Sequence, residues 1–97
     1  MEPDAKDYSG RTPLSYAAET EVTDMVQLLL ESGAFPNSKD TGGRTPLSFA
    51  AEKGSKAVVQ LFLSTERVTL DARDESGKTA LIWASENGHG SIVEMLL

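Results

Sequence analysis

The side chains able to do acid–base, nucleophilic or metal chemistry are few in this chain. Cysteine is absent, and His89 is the single histidine. A zinc site needs about four ligands, so a lone histidine does not make one. General-base work is the less favoured interpretation of His89, and we assign it a structural or simply exposed role. The segment at 42–45 is Gly-Gly-Arg-Thr and lacks the spacing of a phosphate-binding loop. We therefore expect no catalytic residue, no metal and no cofactor.

Charged side chains that recur at a fixed spacing indicate a different chemistry, that of a binding surface. A basic set and, eight residues later, an acidic set recur three times: Arg11, Arg44 and Lys78, then Glu19, Glu52 and Glu86. In one interpretation the two sets pair with each other along a stack, at about 0–1 kcal/mol per exposed pair. In the other they form a charged groove that orients a partner.

An aromatic set recurs in the same way, as Tyr16, Phe49 and Trp83. On a helix each ring lies about 200° from the leucine two residues earlier, and so away from the core of its own repeat. Aromatic side chains are common anchors of interfaces, but packing between neighbouring helices is the alternative. We predict that Trp83 is the most exposed of the three.

These sets recur because one ten-residue segment of the sequence is repeated three times. GRTPLSYAAE at 10–19 returns as GRTPLSFAAE at 43–52 and as GKTALIWASE at 77–86. The glycine that opens each copy and the Asp three residues before it predict a tight turn. Thr followed by Pro predicts an N-cap and a first helical residue, so helices should begin at Pro13, at Pro46 and, without the proline, at Ala80. A period in the thirties is the signature of a stacked helical array.

A second, more apolar helix follows in each unit. Its side chains align in three sets, namely Met25, Val26, Leu28, Leu29 and Leu30, then Val58, Val59, Leu61, Phe62 and Leu63, then Ile92, Val93, Met95, Leu96 and Leu97. We expect most of the stability to come from this helix, with Leu28 and Leu61 as buried positions.

The complete pattern resembles the ankyrin repeat family, whose units read D-x-x-G-x-T-P-L, then A-A, an apolar helix and G-A. Copy one carries this pattern from Asp7 to Ala34, and copy three carries the Gly88-His89 pair. The amino-acid sequences of the three copies also resemble those of multi-repeat proteins of filamentous fungi. The resemblance implies an all-α solenoid of about three stacked helix–turn–helix repeats with hairpin-like turns. It implies a single domain over 1–97, with repeats at about 7–39, 40–73 and 74–97.

Several positions depart from the family pattern. Glu21 replaces the glycine that ends the first helix, which predicts a strained or differently shaped break. Copy two has one extra residue within 64–70, which predicts a remodelled loop. Residues 1–6 align with the connecting loop of a preceding repeat, and the third repeat is incomplete. We therefore expect a segment of a longer array or a truncated product, with weak self-association through uncapped ends.

The resemblance implies a non-catalytic protein-binding module that uses its turn tips and the concave face of its first helices. Carried onto matching positions, the candidate contacts are Tyr8, Arg11, Tyr16, Glu19, Arg44, Phe49, Glu52, Lys53, Lys78, Trp83, Glu86 and Asn87. Two alternatives are a regulatory or sensor segment of a larger protein, such as an NTPase-linked receptor, and a structural spacer.

Net charge limits the partners. With 15 acidic and 9 basic residues the formal net charge is −6, which argues against nucleic acid and against an anionic membrane surface. A protein partner is the expectation that remains. The lack of cysteine and of a signal peptide predicts an intracellular setting, cytoplasmic or nuclear.

Overall fold

The computed structural model describes residues 2–97 and contains, in that range, six α-helices and no strand. The helices are α1 (Pro13–Glu19), α2 (Thr23–Glu31), α3 (Pro46–Lys53), α4 (Lys56–Leu63), α5 (Ala80–Glu86) and α6 (Gly90–Leu96). Helices α1, α3 and α5 pack side by side in one layer, and α2, α4 and α6 pack in a second. The predicted all-α solenoid is confirmed. Over residues 2–97, none of the helices has the length and apolarity that a bilayer crossing requires.

The first helix of each pair begins where local sequence signals place it. Thr12 is extended, and its hydroxyl accepts a hydrogen bond from the N–H of Ser15 at 3.3 Å. Thr45 and Thr79 cap α3 and α5 in the same way. The predicted starts at Pro13, Pro46 and Ala80 are confirmed, because an N-cap threonine satisfies a backbone donor that the helix itself leaves unpaired.

The turns before these helices are hairpin-like, as predicted. In the first turn the N–H of Asp7 donates to the carbonyl of Arg11 at 3.0 Å, and its Oδ1 accepts from the N–H groups of Ser9 and Arg11. Neighbouring turns are joined by backbone hydrogen bonds of 3.0 Å, from Thr41 to Ser9 and from Glu75 to Gly42. The turn tips therefore form a continuous row along one edge of the stack.

The core takes side chains from both layers, which corrects the expectation that the second helices dominate. Helix α3 is buried from Pro46 to Ala51, as fully as Val58, Val59 and Phe62 in α4. The placement of Leu28 in the core is wrong, since its side chain is 56% exposed. Leu28 lies on the outer side of the first helix pair, where no other described helix covers it.

Two predicted departures are present in the backbone. Glu21 has φ of 62°, whereas Gly54 occupies the same position in the second repeat with φ of 78°. The loop after α4 lacks a glycine stop; instead the hydroxyls of Ser64 and Thr65 donate to the carbonyls of Leu61 and Phe62. The remodelled loop is thus confirmed.

Candidate functional site

The basic and aromatic sets interleave into one column that runs across α1, α3 and α5, which we call the cation–aromatic ladder. The Cζ of Arg11 lies 4.0 Å from the ring centres of both Tyr16 and Phe49. The Cζ of Arg44 lies 3.9 Å from the ring centres of both Phe49 and Trp83. The order along the stack is Tyr16, Arg11, Phe49, Arg44, Trp83 and Lys78, whose Nζ lies 4.5 Å from the Trp83 ring centre.

Each cation of the ladder also pairs with the acidic residue eight positions later. The N–O distances are 2.8 Å for Arg11–Glu19, 2.9 Å for Arg44–Glu52 and 2.8 Å for Lys78–Glu86. The predicted pairing of the two sets is therefore present, but it lies within each repeat and not along the stack. Along the stack, neighbouring repeats are joined by cation–π contacts.

The two guanidinium groups are held by further contacts. The Nε of Arg11 donates to Ser15 Oγ at 2.9 Å, and the Nε of Arg44 donates to Ser48 Oγ at 3.2 Å. Both arginines also donate to the carbonyls of these serines. Their side chains are only 13% and 17% exposed, against 31% for Lys78. The arginine heads are thus occupied within the molecule.

The polar tips of two aromatic rings bind the aspartate that opens their own turn. The hydroxyl of Tyr16 donates to Asp7 Oδ2, and Trp83 Nε1 donates to Asp74 Oδ2 at 3.0 Å. The bond from Tyr16 and the N–H of Arg11 lower the pKa of the Asp7 carboxyl, and the same Asp7 contact raises the pKa of Tyr16.

Asp74 shows opposing effects on its pKa. Partial burial raises it, but hydrogen bonds from the Lys78 N–H, from Trp83 Nε1 and from the Ser76 N–H outweigh burial, so the pKa lies below its ordinary value. Phe49 has no polar atom with which to bind Asp40.

The exposure of the three aromatic rings differs from the sequence-based prediction. Tyr16 is 43% exposed, Phe49 is buried at 7%, and Trp83 lies between them. The prediction that Trp83 is the most exposed is wrong, because Arg44 and Lys78 each contact its ring. Tyr16 has a single cation on its ring, that of Arg11, among the described residues.

Comparison with known families agrees with this repeating geometry. The family described as ankyrin repeats, three copies, matches residues 36–97, and the single ankyrin repeat matches residues 9–41. The chain belongs to the ankyrin repeat family. A search of curated proteins gives no match. Ankyrin repeats are generally protein–protein interaction modules and are typically non-catalytic.

The remaining predicted contact residues are Tyr8, Lys53 and Asn87, and all three are exposed. Tyr8 is fully exposed at the first turn tip, and Lys53 and Asn87 are exposed near the ends of α3 and α5. In the three ion pairs, the side chain of Glu19 is 30% exposed, that of Glu52 is 27% exposed and that of Glu86 is 48% exposed. In every pair the glutamate is therefore more accessible than its cation.

His89 makes a contact between ankyrin repeats that the sequence did not identify. Its Nε2 lies 2.9 Å from the carbonyl of Glu52, and its ring lies over Gly54, where a Cβ would come within 2.6 Å of Cε1. The Gly-His pair in the third copy was the available signal for a structural role. The identity of the facing residue depends on how the repeats stack, which the pair alone does not specify.

Proposed function

We propose that this ankyrin domain binds a protein partner through its turn tips and the face of α1, α3 and α5. Ankyrin repeats generally act in this way, and one observation supports this face in particular. The cation–aromatic ladder braces three helices into a single surface, so the side chains around it are presented in a fixed register. A pre-ordered surface loses little conformational entropy on binding.

The charges on this face favour a partner segment that carries basic residues. The guanidinium groups of Arg11 and Arg44 are turned into the ladder, whereas the paired glutamates are more exposed. The formal net charge of −6 has the same sign. Complementary charge of this kind steers a partner towards its site and fixes its orientation.

Selection from a random-peptide display library, with the purified chain as bait at low salt, tests this proposal. We expect enriched peptides to carry Lys or Arg, and their affinity to fall as salt rises. The triple variant Glu19→Gln, Glu52→Gln, Glu86→Gln should weaken a selected peptide by about tenfold or more and reduce the salt dependence of its binding. Because the same glutamates pair with the ladder cations, urea unfolding must show that this variant and its control are equally stable.

The matched control is Glu31→Gln, Glu66→Gln, Glu94→Gln, which removes the same charge from exposed positions off this face. Equal weakening by both triple variants would show that only net charge matters and would overturn the assignment of the site. Tyr8→Ala tests the contribution of the turn tip separately. Charge reversal at Arg44 is unsuitable as a probe, because it also removes contacts to Phe49 and Trp83.

A further inference from the structure

The paired glutamates form a row, which we call the glutamate row, with one member in each repeat. They are Glu19, Glu52 and Glu86, and each stands near the C-terminal end of α1, α3 or α5. In each ion pair the cation contacts Oε1. A carboxylate has about four acceptor positions on its two oxygens, and the nearby helix C-terminus also favours a cation. Each glutamate can therefore accept a second cation from outside the molecule.

The step of the glutamate row is set by the packing of the helices that carry it. Helices α1, α3 and α5 are neighbours in one layer, and packed helices lie about 8–10 Å apart. The ladder beside the row agrees with this range. The Cζ atoms of Arg11 and Arg44 lie 3.9–4.0 Å from each of the two ring centres that they contact, so neighbouring ring centres are no farther apart than twice that distance. The row therefore presents three carboxylates at steps of about 8–10 Å.

The polyproline II helix is the regular chain conformation whose step lies within this range. It has three residues per turn and a rise of about 3.1 Å, so every third side chain returns to one face after about 9.3 Å. In a β-strand the next side chain on the same face is two residues and about 6.7 Å away. In an α-helix the side chain seven residues along lies about 10.5 Å away. Over the two steps of the row the mismatch of the strand or the α-helix doubles.

The backbone of this face favours the same conformation in a partner. The face is built from α1, α3 and α5, and residues 2–97 contain no strand. A partner segment in the β conformation therefore finds no strand edge here with which to pair its backbone. A polyproline II segment has no internal hydrogen bonds and leaves its backbone to water, so side-chain contacts are enough to bind it.

We propose that the partner segment lies across α1, α3 and α5 in a polyproline II conformation and carries Lys or Arg at every third position. Its middle cation pairs with Glu52, and the two outer cations pair with Glu19 and Glu86. This inference rests on the partner-binding function proposed above and specifies the chemistry of the partner at that site. The basic residues that the segment needs are three, each separated from the next by two residues of other types.

Two isomeric peptides test the spacing separately from the charge. One consists of three Lys-Pro-Pro triplets, and the other carries the three lysines in succession, followed by the six prolines. Both have the same composition and charge, and proline favours polyproline II in both. Fluorescence anisotropy at low salt measures their affinities for the chain. We expect the triplet peptide to bind at least about fivefold more tightly, because its isomer places one lysine on the row and loses two exposed ion pairs.

A double-mutant cycle tests the middle contact. Glu52→Gln should weaken the triplet peptide about threefold and lose this effect on a peptide whose middle lysine is replaced by Gln, in either direction of binding. The matched control Glu31→Gln, at an exposed position of α2, should affect both peptides alike, and urea unfolding checks that both variants are folded.

The outcomes separate this inference from the function on which it rests. Equal affinities of the two isomers, or no coupling between Glu52 and the middle lysine, would overturn the inference and leave a basic partner in place. Lysine peptides that bind no more tightly than their glutamine counterparts would overturn both.

Discussion

Phe49 differs from the other two rings of the ladder in having no polar tip. Tyr16 and Trp83 each donate to the aspartate of their own turn, and Asp40 Oδ2 accepts no such bond from residues 2–97. We predict that Phe49→Tyr raises the unfolding free energy in urea by about 0.5–1.5 kcal/mol, the net contribution of one hydrogen bond. The gain should disappear in an Asp40→Asn background. A loss of stability with Asp40 intact would mean that the ring cannot reach the carboxylate.

Gly54 is required by its neighbour as well as by its backbone conformation. It has φ of 78°, and an added Cβ would lie 2.6–2.9 Å from the His89 ring. Gly88 has φ of 73° and nothing within 4 Å of an added Cβ. Both alanine variants should destabilise the fold, and Gly54→Ala should cost about 1 kcal/mol more, because His89 must move and give up its bond to Glu52. Equal unfolding free energies for the two variants would show that the His89 ring adds nothing to the requirement for glycine at position 54.

Asp7 and Asp74 make stability depend on pH. Hydrogen bonds to the ionised carboxylates lower both pKa values in the folded chain. Their contribution is therefore complete above the unfolded pKa of about 4 and is lost as pH falls through the folded value. Urea midpoints should drop between pH 5 and pH 2.5, and the double variant Asp7→Asn, Asp74→Asn should show a smaller drop. An unchanged drop would assign the acid sensitivity to other carboxylates.

At the scale of elements, the turn between α1 and α2 has a less favourable backbone conformation than the equivalent turns between α3 and α4 and between α5 and α6. Glu21 adopts a left-handed conformation at φ of 62°, where Gly54 and Gly88 stand in the other repeats. Glu21→Gly should raise the thermal midpoint and stabilise the chain by about 1 kcal/mol, since a side chain in this region is strained. Thr20→Gly, one position earlier with φ of −91°, should instead destabilise it. A gain from both glycines would point to a general loosening of the break.

Element boundaries were predictable from sequence because their causes are local. Thr12 caps its helix through a hydrogen bond three residues away, and Asp7 shapes its turn within four. The exposure of Leu28 and of Trp83 was not predictable in this way. It depends on which faces a neighbouring repeat covers, and on an arginine that reaches across two helices. The column of recurring charges was visible in sequence, but the direction of its pairing was not.

At the scale of the whole molecule, three kinds of contact connect the repeats: the core between helix layers, the backbone bonds between turn tips, and the ladder. The first two are general consequences of stacking. The ladder requires in addition a long cation and an aromatic ring at fixed positions in consecutive repeats. Arg44 is its central member, in contact with the rings of the second and third repeats.

The most direct test of the ladder as the brace of the proposed binding face is the unfolding free energy of Arg44→Gln. This change removes two cation–π contacts, worth about 0.5–2 kcal/mol each, and the ion pair of a side chain that is 17% exposed. We predict a loss of at least about 2 kcal/mol, whereas Lys53→Gln at an exposed position of the same helix should change stability by less than about 0.5 kcal/mol. A loss of less than about 0.5 kcal/mol for Arg44→Gln would contradict the account.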